Sequence, residues 1–308
     1  MNTLHITNGD TTVKLIDLAG ISGQCVPWRD LLHMGPVPMT PSINELSAIR
    51  AQFIASLGWG DFNTIHQDFL ARDKALSTID ANQPVVLWFE HDLYDQLQLI
   101  QVLSELNVQN VPHENVFWVD TSIHLGRLLP ADYLELISNK KAVTPQMFAL
   151  ANEAWNAYRQ TTPEAWSALR KRDLTSLPYL KNAIERSLQE LPWTNSGLNF
   201  TEKTSLALIH EGHNTPTTLF QAYCAHEKAE FHGDMSYFWY IDQLHQDSPP
   251  LLSKQQDTYH LTENGKSVLK NGMFWQRAYG QSQWLGGYEL SSTYPFLWDD
   301  TSKRLIVS

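Results

Sequence analysis

Cysteine is nearly absent from this chain. Its 308 residues include only Cys25 and Cys224, which lie far apart in the sequence. Two cysteines cannot build a disulfide framework or a cysteine-based zinc site, so the sequence excludes both. With 43% hydrophobic residues, a chain of this length can instead form a sizeable apolar core and more than one domain.

Long apolar runs are also missing, and so is a signal peptide. No segment approaches the length needed to cross a membrane. The first residues, MNTLHITNGD, contain no basic segment followed by an apolar core. The sequence therefore predicts a cytoplasmic protein of bacterial type with no membrane partner.

Basic residues are scarce, because 22 Lys and Arg stand against 33 Asp and Glu, for a formal net charge of −11. This charge favours solubility and argues against broad non-specific binding to nucleic acid or anionic membranes.

The most informative stretch runs from residue 85 to residue 103, VVLWFEHDLYDQLQLIQVL. Its apolar start predicts a strand buried on both faces of a parallel sheet, and apolar residues at helical spacing then predict a helix. Ligands of open α/β sheets bind at the carboxyl ends of strands. We therefore predict that the turn carries catalytic residues and one ligand contact: Glu90, His91, Asp92 and Asp95, with Gln96. The alternative is a helix cap at Asp92 with solvated neighbours.

The N-terminal segment predicts a strand at residues 4–7, a turn at Asn8, Gly9 and Asp10, and a short helix. This order places backbone N–H groups toward an anion. One glycine makes neither a Walker loop nor a dinucleotide fingerprint, and a tight turn capped by Asp10 or Thr11 is the alternative. A second strand, 24–26, leads to Arg29, Asp30 and His33. The guanidinium of Arg29 suits a carboxylate or phosphate; the alternative is a structural pair with Asp30 or Glu90.

The order of elements predicts three regions. Residues 1–140 alternate strands and helices, which indicates a Rossmann-like α/β domain with a parallel sheet. Residues 141–195 are predicted to form a helical connector, with Thr144 and Pro145 beginning one helix. Residues 196–308 are predicted to form a winged-helix-like α+β domain with a C-terminal β tail, in which segments 284–290 and 304–307 pair.

The composition of the C-terminal region argues against DNA binding. From residue 200 to residue 308 it contains 12 acidic and 8 basic residues, and the third helix, about 235–244, has Asp242 but no Lys or Arg. DNA recognition requires a cationic face. The pattern therefore favours a structural module or a homodimer contact over DNA binding.

Four segments resemble the bacterial family catalogued as domain of unknown function 1835: HITNGD from His5, WRDLLHMGPV from Trp28, the pair Arg72-Asp73, and WFEHDLYDQL from Trp88. The likeness covers about the first 120 residues, and the helical middle and the tail at 284–290 are similar to longer members. Met34 stands where many members have an acidic residue. The resemblance implies the fold and the grouping of the motifs, and it implies no reaction.

Together these observations predict a pocket at the carboxyl edge of the N-terminal sheet that binds a small anionic molecule, phosphorylated or nucleotide-like. A carboxylate with a histidine suits acid–base chemistry, and oxygen ligands from Asp10, Asp92 and Asp95 suit Mg²⁺. The expected activity is hydrolysis or group transfer. Two alternatives stay open: a ligand-sensing regulator whose winged helix binds DNA or protein, and an interaction scaffold with buried ion-pair networks.

Overall fold

The computed structural model describes residues 2–277 and 282–307. Within these ranges the chain is a mixed α/β fold with twelve α-helices and one five-stranded, mostly parallel sheet. It divides into two compact units. The first comprises the residues up to Ile184 together with Gly286–Tyr288, and the second the residues between them and those after Tyr288.

The first unit contains the large sheet. Its strands are β1 Leu4–Thr7, β2 Gln24–Pro27, β3 Val85–Phe89, β4 Val116–Asp120 and β5 Lys141–Ala142. Its helices are α1 Asp10–Leu18, α2 Ile43–Ser56, α3 Phe62–Ser77, α4 Leu93–Val108, α5 Pro130–Ser138, α6 Pro145–Tyr158 and α7 Glu164–Ala168; α8 Leu180–Leu188 follows.

The strand order in this sheet is β2-β1-β3-β4-β5. The first four strands are parallel, as predicted, whereas β5 pairs antiparallel with β4. The sequence did not predict β5, because it has only two residues and both are exposed. The order of the strands reverses between β1 and β3, and such a reversal opens a crevice at the carboxyl ends of the two strands.

Strand β3 lies at the centre of the sheet, so all five of its residues are buried. Helix α4 is buried around most of its circumference and carries polar side chains inward. Gln101 accepts a hydrogen bond from the indole N–H of Trp28 at 2.7 Å, and Gln98 donates to the carbonyl of Asp30 at 2.9 Å. These bonds fix the loop that follows β2 against the same helix that follows β3.

The second unit begins with three helices, as predicted. Its elements are α9 Phe200–His210, α10 Pro216–His226, α11 Asp234–Gln246, β6 Leu252–Gln255, β7 Thr258–Leu261, α12 Glu263–Asn271, β8 Trp284–Leu285, β9 Tyr288–Glu289, β10 Phe296–Asp299 and β11 Arg304–Val307. Strands β6 and β7 form an antiparallel hairpin. The predicted pairing of 284–290 with 304–307 is wrong, because β11 pairs with β10 across a short turn. Among the described residues, no helix combines the length and apolar character that a membrane crossing requires.

The segment Gly286–Tyr288, here called the strap, belongs to the first unit although it lies far along the chain. The N–H of Gly287 donates to the carbonyl of Tyr158 at 3.0 Å, and the carbonyl of Gly286 accepts from the N–H of Val37 at 2.8 Å. Gly286 has φ +60°, and a Cβ there would collide with the carbonyl oxygen of Tyr158. Only glycine fits this position without displacing backbone.

We predict that Gly286→Ala lowers the free energy of unfolding by about 2–4 kcal/mol, because it adds a backbone collision to an unfavourable φ. The matched control is Gly58→Ala, which has φ +75° but open space around the new methyl group. Its cost should be only about 1–2 kcal/mol. Urea unfolding of both variants measures the difference, and equal losses would show that the strap yields to the methyl group.

Candidate functional site

Three neighbouring strands of the first unit end in polar residues that meet. Asn8 follows β1, Glu90 follows β3, and His124 lies a few residues after β4. Because these strands are parallel and adjacent, their carboxyl ends share one edge of the sheet. We call the side chains gathered there the strand-end cluster: Asn8, Glu90, Asp92, Asp95 and His124.

The buried carboxylate of Glu90 is the centre of this cluster. Its Oε1 accepts hydrogen bonds from the backbone N–H of Leu125 at 2.6 Å and from Asn8 Nδ2 at 3.1 Å. Its Oε2 lies 2.6 Å from Nδ1 of His124. The backbone of Glu90 is held as well, since its N–H donates to Asp95 Oδ2 at 2.6 Å and its carbonyl accepts from Gln96 at 2.5 Å.

Asp92 has two roles in the structure. Its Oδ1 accepts from the N–H of Asp95 at 3.1 Å and so caps helix α4, as one of the predicted alternatives required. Its Oδ2 lies 3.6 Å from Nδ1 of His124. Asp95 is tied to the first strand as well, because its Oδ2 accepts from Asn8 at 3.0 Å.

Glu90, Asp92 and His124 form a set that can hold a metal ion. One ligand atom from each lies within 4.8 Å of the others. The two carboxyl groups are buried, and the imidazole is 20% exposed, so His124 forms the accessible side. Two carboxylates and one imidazole are donors for a divalent cation such as Mn²⁺ or Zn²⁺, and the oxygen ligands also suit Mg²⁺. Among the predicted magnesium ligands, Asp92 belongs to this set, whereas Asp10 and Asp95 do not.

Burial and mutual repulsion change the proton affinities in this region. Burial, together with the charge of Glu90, raises the pKa of Asp92 to about 7. Burial and the charge of Asp92 raise the pKa of Asp95 well above its usual value. The hydrogen bond to Glu90 raises the pKa of His124, whereas burial and the neighbouring His124 lower that of His91. Two buried carboxyl groups, those of Glu90 and Asp92, therefore lie beside the imidazole of His124, whose pKa is raised.

Several acceptors in this region have no donor. Asp95 Oδ1, Gln96 Oε1 and Nδ1 of His91 are buried without a hydrogen-bond partner in the described part of the chain. The ring of His91 lies 5.1 Å from that of His124 and 6.0 Å from that of Tyr179. Buried polar atoms without partners are costly in a protein interior, so a ligand, ion or water that bonded to these groups would relieve that cost.

The structure places Gly9, Asp10 and Arg29 outside the strand-end cluster. Gly9 begins α1 without a side-chain cap. Arg29 forms an exposed ion pair with Asp10 at 2.6 Å and a weaker one with Asp68 at 3.3 Å. The partner of Arg29 is therefore neither Asp30 nor Glu90, the two considered from the sequence.

Asp30 and His33 are also brought elsewhere, into a buried structural network. The carboxylate of Asp30 accepts from Nε of Arg50 at 3.0 Å, and both side chains are fully buried. Arg50 also donates to the carbonyls of Leu31 and Met34, each at 2.8 Å, which holds the loop after β2. The ring of His33 packs against Tyr94.

Sequence reasoning missed His124. Its position after a predicted strand was a usable signal, because His124 follows β4 as Glu90 follows β3. Three residues separate His124 from the end of β4, so it was not grouped with the other strand ends. Two further residues were missed, and both orient Asn8. Thr12 donates to its Oδ1 at 2.7 Å, and the hydroxyl of Tyr94 donates to its carbonyl at 3.2 Å.

We predict that Asp92→Asn weakens the dependence of stability on pH when metal is removed with EDTA. The pKa of Asp92 rises from 3.8 to about 7 on folding, so folding takes up a proton and wild-type stability falls as pH rises through that window. Asparagine still caps the helix but carries no charge. At pH 8 the free energy of unfolding of the variant should exceed that of wild type by about 1–3 kcal/mol.

The measurement is urea unfolding of the two proteins between pH 5 and pH 8. Asp10→Asn is the control, because Arg29 lowers the pKa of Asp10 and its removal should not flatten the decline. Parallel stability curves for wild type and Asp92→Asn would contradict the assignment of this titration to Asp92.

Comparison with known proteins adds no relative to this picture. No protein-family model matches the chain, and no curated protein matches it either.

Proposed function

We propose that the strand-end cluster binds a divalent cation, Mg²⁺ or Mn²⁺, and uses it to hydrolyse or transfer a group of a small phosphorylated or nucleotide-like molecule. The observation that carries the proposal is the convergence of Glu90, Asp92 and His124 within 4.8 Å. Buried carboxylates repel one another unless protons or a cation compensate their charge. A divalent cation supplies that compensation.

Three features support an anionic substrate. The N-terminus of α1 is not capped by a side chain, and the space beside Gly9 is open, so its backbone N–H groups can face an anion. Arg127 lies near enough to His124 for its charge to oppose the rise in the pKa of His124, so a cationic side chain is close to the cluster. A cation held by two carboxylates keeps open coordination positions, which phosphate oxygens commonly occupy.

The residues have distinct roles in this proposal. The metal would polarise the phosphoryl group and lower the pKa of a bound water. Glu90 and Asp92 would hold the metal with His124, and Asn8 would orient Glu90 and Asp95. His91, whose pKa is lowered by burial, is neutral near pH 7 and would accept the proton of the attacking water.

We expect wild-type protein to bind Mn²⁺ at one site and Asp92→Asn and His124→Gln to bind it at least tenfold more weakly, since each loses a ligand. Electron paramagnetic resonance of free Mn²⁺ measures this directly. Asp10→Asn is the matched control, because Asp10 lies at the same sheet edge but is engaged by Arg29. Equal binding by all four proteins would refute the metal site.

Activity is tested separately, as phosphate release from a panel of sugar phosphates and nucleotides with and without Mn²⁺.

A metal-free alternative is supported by the 2.6 Å contact of Glu90 with Nδ1 of His124, which leaves Nε2 of His124 available for acid–base chemistry. Turnover that persists in EDTA and disappears in His124→Gln would select that alternative. An inactive protein that binds Mn²⁺ would retain the site and reject the reaction.

The proposal includes a Rossmann-like first unit, membership of the domain of unknown function 1835 family, and a cytoplasmic location.

The three helices, hairpin and following helix of the second unit support a winged-helix-like arrangement. A regulator that binds DNA is the second candidate. It is weakened by α11, which carries Asp234 and Asp242 and no basic residue other than histidine.

We expect no mobility shift of duplex DNA at low salt, because α11 lacks the cations that contact phosphates. The gel-shift assay uses the full chain and random-sequence DNA. A shift that weakens as salt increases would instead make the second unit a nucleic-acid binder. The Mn²⁺ measurement tests the scaffold interpretation, because a purely structural ion-pair network needs no metal.

A further inference from the structure

A cavity with a mixed polar and apolar lining lies among helices of the first unit. Residues of α2, α3, α4 and α6 enclose about 540 Å³, and none of them belongs to the strand-end cluster. This volume falls within the range of small-molecule sites. The cavity is therefore large enough for a ligand of its own.

Arg159 follows α6 and lines the cavity. Few of the hydrogen-bond donors of its guanidinium have an acceptor among the described residues. Its described hydrogen bond runs from Nη2 to Asn156 Oδ1 at 3.3 Å, and the group lies 5.1 Å from the ring of Trp155. Its Nε–H is buried without an acceptor. No carboxylate of the described residues lies within ion-pair distance of it. A guanidinium has five N–H donors, so most of them remain available to a ligand.

The charges around the cavity favour a single negative charge on that ligand. Lys74 lines it, is exposed and forms no ion pair within the part of the chain that the structure describes. Asp73 is already paired with Arg72 at 3.0 Å. Glu105 is the remaining acidic group of the lining; burial raises its pKa, and the nearby charge of Arg159 partly opposes that rise. Two cations thus face at most one carboxylate.

The lining of the cavity combines apolar and polar side chains. Leu70 and Val108 are its exposed apolar members, at 36% and 62% exposure. Among the polar members, Ser104 is buried and donates to Asn152 Oδ1 at 3.0 Å, which fixes two polar groups. Apolar surface with a few fixed polar groups is typical of sites for small organic molecules.

The strap also fixes the backbone from which the side chain of Arg159 extends. The N–H of Gly287 in the strap donates to the carbonyl of Tyr158, the residue before Arg159. A Cβ at Gly287 would collide with the carbonyl oxygen of Arg159, so the strap packs directly on this backbone. Such preorganisation reduces the entropy that binding must overcome.

We propose that this cavity binds a small organic monoanion, a carboxylate with a short apolar body, and that Arg159 pairs with its carboxylate. Arginine binds carboxylates in bidentate fashion, and Lys74 adds a second positive charge. The apolar body would contact Leu70 and Val108. This site is independent of the strand-end cluster and of the reaction proposed there.

Isothermal titration of the full chain with hexanoate tests the proposal, with hexanol as the uncharged comparison. We expect saturable binding of hexanoate and about a tenfold rise in Kd in Arg159→Gln, because a charge-assisted pair is lost. Arg159→Lys should lose less. The matched control is Arg172→Gln, which removes an exposed arginine paired with Glu153 at 3.3 Å and should leave the Kd unchanged.

The melting temperature of each variant is measured first. If Arg159→Gln is unfolded, Lys74→Gln on the exposed face of α3 carries the test, with an expected rise in Kd of about threefold. Absence of saturable hexanoate binding to wild type, equal affinity for hexanol, or an equal loss in Arg172→Gln would overturn the proposal. Binding that is the same in EDTA separates this cavity from the strand-end cluster.

Discussion

A single buried carboxylate, that of Glu90, accepts hydrogen bonds from residues that follow two other strands of the sheet. Asn8 reaches it from β1, and Leu125 and His124 reach it from the segment after β4. A carboxylate at this point joins three strand ends that would otherwise be independent loops. The start of α4 is held at the same point, because the backbone of Glu90 bonds to the side chains of Asp95 and Gln96.

This arrangement stabilises loops but concentrates acidic groups in a buried place. Burial and mutual repulsion disfavour the ionised forms of Asp92 and Asp95 and raise the pKa of each. A chain selected only for stability would replace such groups with apolar ones. Their presence, with acceptors left unpaired, is typical of sites where binding requires some loss of stability.

Much of the sheet could be predicted from the sequence, because its signals are local. The apolar run of β3, the strand of β1 and the Thr144 cap of α6 are each encoded in a few consecutive residues. The partners of charged groups could not be predicted. Asp30 is paired with Arg50 and Arg29 with Asp10, and these pairs depend on distances in space that no local pattern encodes.

The strap makes the first unit discontinuous in sequence. Ribosomes synthesise roughly 5–20 residues per second, and the residues between Ile184 and Gly286 must all be made before the strap exists. Until then the carbonyl of Tyr158 lacks the N–H of Gly287, and Val37 lacks the carbonyl of Gly286. The first unit can therefore complete its packing only after the residues between Ile184 and Gly286 have been synthesised, although all of its other residues come before them.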